Sequence, residues 1–341
     1  MVRPLRKGIY VPLPTFFDHH EDLDLKSFTS HVVYTAKAGI LPVVCGSMGE
    51  AVHLSPDERV ELVKTAREAL DENEMEDVPI LAGIGAASTR ETNVLARRLA
   101  EAGADHAILI TGGYYAGGLI KKPEAIKKFF VDVSEASPIP VMLYNFPGVT
   151  GGIDMTSDLV EDIAKSAPNT CGIKLTCGAV GKLTRIAATV NSKDFTETYP
   201  RKDPSAPFLV IDGFIDFLLP SIAAGASGTI TGVPNFAPLT CMKLWEYCTR
   251  SDLHAPEVMR EAQDLQALIS RADWAASNAN IPGMKRLLQH LFGYGHLPRG
   301  PLPEMSVDEA EKLLINHPAI INILEYERRL QREGYRFSFN K

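Results

Sequence analysis

Short apolar runs alternate along this chain with longer segments whose apolar residues recur at helical spacing. The runs are Ile9–Phe16, Ile40–Cys45, Ile80–Ile84, His106–Thr111, Val141–Tyr144, Gly172–Thr176, Phe208–Ile211 and Gly228–Thr231. Each has the length of a β-strand, and they are spaced as strand–helix units are. Between them, residues such as Leu62, Ala66, Ala69 and Leu70 share one helical face. Ser55-Pro56-Asp57-Glu58 offers an N-cap serine, a proline at the first helical position and a capping-box glutamate, and Ser88-Thr89-Arg90-Glu91 offers a second box. Eight strands, each followed by a helix, predict an α/β fold, a closed (β/α)8 TIM barrel over residues 8–234. An open doubly wound sheet is the alternative, weakened because no G-x-G-x-x-G follows the first run.

From about Asn235 onward the strand signals stop. Helical patterns around Met242–Cys248, Pro256–Arg271, Ile281–Leu291 and Ser306–Leu324 predict a C-terminal helical region, 235–341, packed on the barrel. The polar, proline-bearing stretch Asn191–Pro207 reads as a loop into the seventh strand. It would lie on the N-terminal, stability-bearing face of the barrel.

Composition narrows the class. The 341 residues are 45% hydrophobic, ample for one large core, and 23% charged with a net charge of −7. No lysine/arginine block is present, which argues against nucleic acid or an anionic membrane as partner. The five cysteines, Cys45, Cys171, Cys177, Cys241 and Cys248, lack CxxC spacing and read as free thiols of a reducing compartment. The basic start carries no apolar stretch after it, and no run is long enough to span a bilayer. A cytoplasmic protein is the expectation.

The chemistry starts at Lys174, inside the apolar run Thr170-Cys171-Gly172-Ile173-Lys174-Leu175. An ammonium is costly to bury, and a desolvated amine loses its proton more readily and becomes a nucleophile. The competing reading is a strand-end lysine whose head snorkels to water. In such barrels the active site lies at the C-terminal strand ends. Those ends read Gly46-Ser47-Met48-Gly49-Glu50, Gly112-Gly113-Tyr114-Tyr115, Tyr144-Asn145-Phe146-Pro147-Gly148-Val149, Lys174, Asp212-Gly213 and Ile230-Thr231-Gly232. A lysine, phenols, a hydroxyl and a glycine-rich turn suit carbonyl chemistry through an amine. The set lacks metal-ligand spacing, so neither metal nor cofactor is expected. A phosphate- or flavin-binding barrel is disfavoured, because Gly225-Ala226-Ser227-Gly228 precedes the eighth strand and lies at the wrong end.

Three of these stretches, Gly46-Ser47-Met48-Gly49-Glu50, Tyr144-Asn145-Phe146-Pro147 and Gly172-Ile173-Lys174, resemble signatures of the dihydrodipicolinate synthase/N-acetylneuraminate lyase family, in its order and at its spacing. The resemblance covers roughly residues 8 to 300. It implies Schiff-base (class I) aldolase chemistry on pyruvate or another 2-oxo acid, and a homo-oligomer, commonly a tetramer. It implies Lys174 as the imine-forming residue, Tyr144 as proton shuttle, and Ser47 as relay to a second phenol. That phenol would be Tyr115, reaching into a neighbouring subunit's site. The amides around Gly46, Ser47 and Met48 would hold the pyruvate carboxylate, Glu50 would orient their turn, and Gly213 and Ile230 would line the pocket.

Two departures narrow the substrate. The synthase subgroup carries two threonines where Ser47-Met48 stands, and an arginine where Val149 stands. That arginine holds the carboxylate of aspartate semialdehyde; valine cannot. The loss is worth about 1.5–3 kcal/mol. The distal pocket around Val149, Gly151, Gly232 and Phe236 is expected to be small and weakly charged. A 3-deoxy-hexulosonate, cleaved to pyruvate and a neutral aldehyde, ranks first. Hydroxyoxoglutarate ranks second and aspartate semialdehyde third. A Schiff-base dehydratase and a non-catalytic paralogue are the rivals.

Overall fold

The computed structural model describes residues 3–337. Eight parallel strands close on themselves in sequential order, so the open sheet is excluded. They are β1 (Gly8–Pro12), β2 (Leu41–Val44), β3 (Leu81–Gly83), β4 (His106–Ile110), β5 (Val141–Asn145), β6 (Thr170–Leu175), β7 (Leu209–Asp212) and β8 (Gly228–Ile230). The first run was expected to reach Phe16. It leaves the sheet at Pro12, and Pro14 has no N–H to continue the ladder.

Period-two alternation sorts the strand residues into two cores. Tyr10, Val43, Leu81, Ile108, Met142, Leu209, Ile211 and Ile230 point inward and fill the barrel. Val11, Val44, Ala82, Leu109, Leu143, Ile173 and Val210 point outward against the helices. The same rule places Lys174 inside, between the outward Ile173 and Leu175. A register shift beside Cys171 brings Gly172 opposite Met142. Gly172 has φ +150°, and a Cβ there would stand 2.4 Å from the Leu209 carbonyl oxygen. Only glycine fits this bulge, and the bulge sets the register of β6. Tyr144 and Lys174 are consequently direct neighbours across β5 and β6.

The connecting helices begin where the caps predicted. Ser55 and Glu58 form a complete capping box at the helix Pro56–Asp71. Only half of the second box forms at the helix Thr89–Glu101. Ser88 accepts from the Glu91 N–H at 3.2 Å, but the Glu91 carboxylate bonds the Ser88 hydroxyl instead of its backbone. The base of the barrel is closed by Leu5 and Ala206, which join the inner core. Ala206 belongs to the Asn191–Pro207 stretch. That stretch is not all loop, because Ser192 caps a short helix, Lys193–Thr198.

After β8 the chain is helical. Pro238–Thr249 runs first, its leading N–H groups of Leu239 and Thr240 bonded to the buried Glu327 carboxylate at 3.0 and 2.7 Å. Pro256–Phe292 follows, two helices joined at Asn280, whose φ 55° and ψ −156° are not helical. The expected single helix Ser306–Leu324 is instead two. Val307–Ala310 ends in a π-helical turn, Glu311–Ile315, and a new helix starts at Pro318 and runs to Arg332. Pro318 cannot donate to the preceding turn, so the helix restarts, capped by His317. Among the described residues no helix is long and apolar enough to cross a membrane.

Candidate active site

One cavity of about 1660 Å³ opens at the C-terminal strand ends. Its floor is Lys174. The side chain is 6% exposed, and its Nζ lies 3.2 Å from the Tyr144 hydroxyl and 4.2 Å above the Tyr144 ring centroid. Lys174 forms no ion pair among the described residues, so an uncharged phenol is its polar neighbour. Two hydroxyls on the same walls, Thr176 Oγ1 and Thr231 Oγ1, are buried without a partner among the described residues. Buried hydroxyls are rarely left so unless a ligand or water meets them. Gly213 passes close above Thr176, where a Cβ would come within 2.2 Å of Oγ1.

The turn after β2 forms another wall. Thr15 Oγ1 donates to the Gly49 carbonyl at 2.7 Å, and the Gly46 and Ser47 carbonyls accept from Ala51 and Glu50. The N–H groups of Ser47, Met48 and Gly49 donate to no acceptor among the described residues. Successive free N–H groups beside a lysine suit an anion. Glu50 closes the turn at φ 53°. Its carboxylate is ion-paired with Lys285, both side chains fully buried, and accepts from the Arg299 N–H at 2.9 Å and from His53 at 3.1 Å. Burial pulls Lys285 down to about 8, against the pull of Glu50. Arg299 also ion-pairs with Glu58 and holds that carboxyl down to about 2.

On the third wall, Val149 follows the Asn145 turn. Asn145 bonds Asp154 at 2.7 Å and the Met155 N–H at 2.9 Å, and Asp154 ion-pairs with Lys182. These contacts fix the path of the chain immediately after Tyr144.

All nine site positions expected from sequence line this one cavity: Lys174, Tyr144, Ser47, Tyr115, Gly46, Met48, Val149, Gly213 and Ile230. They are not all assembled. No hydrogen bond joins Ser47 to Tyr144 among the described residues. Tyr115 stands 73% exposed on the rim with its ring against Tyr114, itself 93% exposed. A single copy therefore lacks the second phenol of a relay. The distal pocket also differs from expectation. Gly232 and Val149 line it, but Phe236 is buried in the layer between barrel and helices, and Gly151 packs toward Ala116. Its far wall is neither small nor uncharged. It carries Phe214, Asp216, Phe217, Asp273 and Trp274. Burial, then the neighbouring Asp216, pushes the Asp273 carboxyl up to about 7, and burial raises Asp216 as well.

Sequence reasoning missed Lys285, Thr176, Thr231, Asp216 and Asp273. The threonines closing two strands were a usable signal. Lys285 had a weaker one, standing between the apolar Met284 and Leu287-Leu288 on a core-facing helix. Among the described residues no three His, Cys, Asp or Glu side chains converge as metal ligands would.

A parallel barrel with a buried amine beside a phenol, in a cavity that a turn with free N–H groups also lines, is the build of an aldolase, a carbon–carbon lyase. The chain belongs to the dihydrodipicolinate synthetase family, whose model matches residues 5–316. It is 40% identical over 323 residues to the L-threo-3-deoxy-hexylosonate aldolase of Aspergillus niger, covering 90% of this chain and 93% of that one. It is 38% identical over 330 residues to a protein of Emericella nidulans named "Probable 4-hydroxy-2-oxoglutarate aldolase, mitochondrial", covering 96% and 98%. Among solved structures, a dihydrodipicolinate synthase family protein from Coccidioides immitis matches with a TM-score of 0.78 and 33% identity, over 97% of this chain and 100% of that one.

Proposed function

We propose that this protein is a class I aldolase that cleaves a 2-keto-3-deoxy sugar acid to pyruvate and an aldehyde. Lys174 Nζ attacks the C2 carbonyl, and water leaves to give a protonated imine. That cation draws in the electron pair of the C3–C4 bond as it breaks. Tyr144, having given its proton to the departing water and become a phenolate, takes the proton from the C4 hydroxyl, and the aldehyde departs. The enamine is protonated at C3, and water hydrolyses the imine to release pyruvate and the free amine. No other cofactor takes part. The single observation that carries this reading is the buried Lys174 amine, 3.2 Å from the Tyr144 hydroxyl, at the floor of a cavity whose β2 turn has free N–H groups.

Cavity charge ranks the substrates. Besides Lys174, the cationic side chains lining it are Arg59, whose terminal nitrogens are engaged and whose Nε has no partner among the described residues, and His53. Arg59 bonds the Gly85 and Ala51 carbonyls, and His53 bonds Glu50. Val149 stands where a second carboxylate would need a cation, and Asp216 and Asp273 are in the lining of the same cavity. A polyhydroxylated tail finds hydrogen-bond acceptors in these carboxyls, whereas an anionic tail meets repulsion from them. A 3-deoxy-hexulosonate ranks first, as in the Aspergillus niger relative's name. Hydroxyoxoglutarate is second, favoured by the Emericella nidulans relative's name, and aspartate semialdehyde is third. The exposed Tyr114 and Tyr115 support a homo-oligomer in which Tyr115 completes a neighbour's site. The five free cysteines, four of them buried, support a reducing compartment, cytosol or matrix alike.

Borohydride trapping with pyruvate, read by peptide mass spectrometry, tests the mechanism. A reduced pyruvyl adduct on Lys174 is expected, and none on the folded protein sinks it. Product analysis then separates aldol cleavage, giving pyruvate plus aldehyde, from dehydration, giving a single oxo acid.

A further inference from the structure

We propose that Lys285, remote from the reacting carbons, is a positioning residue that sets the affinity of this site for the carboxylate of its 2-oxo acid; the inference rests on the aldolase reading above. The turn that would hold that carboxylate has few supports of its own. Its N–H groups are free, and Glu50, a non-glycine residue, sits in left-handed backbone at its end. What holds Glu50 there lies in the C-terminal region. One carboxylate oxygen pairs with Lys285. The other accepts from the Arg299 N–H at 2.9 Å and His53 Nδ1 at 3.1 Å. Lys285 is itself fixed from every side. Its Nζ donates to the Leu297 carbonyl at 2.9 Å and lies 4.4 Å from the Phe17 ring centroid, with no exposed side-chain surface.

A fully buried ion pair is a poor source of stability, because desolvation offsets the attraction. Glu50 is anchored by its own backbone in the turn and faces one buried cation. Remove that cation and one carboxylate oxygen is buried without a partner, with only the Arg299 N–H and His53 left on the other, so the carboxylate leaves its present seat. The Ser47 and Met48 N–H groups move with it, since the Ser47 carbonyl is bonded to the Glu50 N–H and the Gly46 carbonyl to the Ala51 N–H. The Lys174–Tyr144 pair, carried on β5 and β6, shares none of these bonds.

The test compares two ketones in borohydride trapping, pyruvate and hydroxyacetone, which lacks the carboxylate. Half-saturating concentrations are measured for the wild-type protein, K285M and the double variant E50L/K285M. The double variant replaces the whole buried pair by apolar side chains and keeps the proposal testable if K285M fails to fold. Circular dichroism and a melting curve confirm folding. Half-saturation by pyruvate is expected to rise about ten- to hundredfold in either variant, the loss of a charge-assisted contact, with hydroxyacetone changed less than about twofold. Equal weakening for both ketones overturns the proposal, because the pair then only supports the fold. Unchanged pyruvate binding overturns it too. If wild-type protein traps neither ketone, the Schiff-base reading fails first and this inference falls with it.

Discussion

Removing one oxygen from Tyr144 leaves its ring against Phe146, at 5.8 Å between centroids, and takes away the hydroxyl beside Lys174, the proposed proton carrier. Tyr144→Phe should lower kcat about 10²- to 10⁴-fold in a pyruvate-release assay, while the borohydride adduct on Lys174 still forms. Undiminished turnover would assign the proton transfer elsewhere. Val149→Arg places a guanidinium on an uncharged stretch of the rim. The ratio of kcat/KM for hydroxyoxoglutarate over 3-deoxy-hexulosonate should rise about tenfold or more, and a ratio that stays put would remove this position from substrate selection. The residues on which these tests turn were legible in the sequence for a physical reason. An amine inside an apolar strand, and glycine-rich turns at strand ends, are conspicuous because they cost stability. Lys285 was not legible. An isolated lysine on a helix is ordinarily solvated, and only the fold reveals the buried Glu50 opposite it.

At the scale of the element, strands were easier to read than helix breaks. The runs of β2, β4 and β5 stand out because both faces of a parallel strand are buried. The junction at Asn280 does leave a mark, since Pro282-Gly283 follows it and the helical patterns separate into Pro256–Arg271 and Ile281–Leu291, whereas the break before Pro318 lies within what reads as one helix, Ser306–Leu324. Asn280 holds backbone angles that cost a non-glycine residue about 1–3 kcal/mol, and its side chain accepts from the Ile281 N–H at 2.8 Å. Asn280→Ala keeps the strained angles and loses that bond. It should destabilise the protein by about 1 kcal/mol, read as a lowered midpoint in chemical denaturation. An unchanged midpoint would mean that the bond contributes nothing. The half-formed capping box at Ser88 has the same moral. Spacing announces a helix start but not which oxygen finally accepts.

For the whole molecule, a site completed by a neighbour predicts complementation. Lys174→Ala and Tyr115→Phe should each be inactive or nearly so. Mixed and reassociated, they should regain part of the wild-type rate, because a hybrid places an intact Lys174 under an intact Tyr115. No recovery on demonstrated mixing would confine each site to one chain. Stability should follow the buried acids. Burial pushes Asp212 up to about 8 and Asp273 up to about 7, from 3.8 in the unfolded chain. A carboxyl raised by folding holds its proton more tightly folded than unfolded. Its stabilisation is complete below about pH 4 and is lost as pH rises through 7 and 8. Melting temperature should therefore fall from pH 5 to pH 9, and Asp212→Asn should flatten that fall; parallel curves for variant and wild type would count against it. Finally, the order of the chain has a consequence for its birth. The barrel strands are complete at Ile230, yet the cation opposite Glu50 is residue 285 and the backbone N–H beside it belongs to Arg299. A nascent chain leaving the ribosome thus makes its strand lysine well before it can set the turn that faces it, and the grip proposed for the substrate carboxylate comes only once its last quarter has emerged.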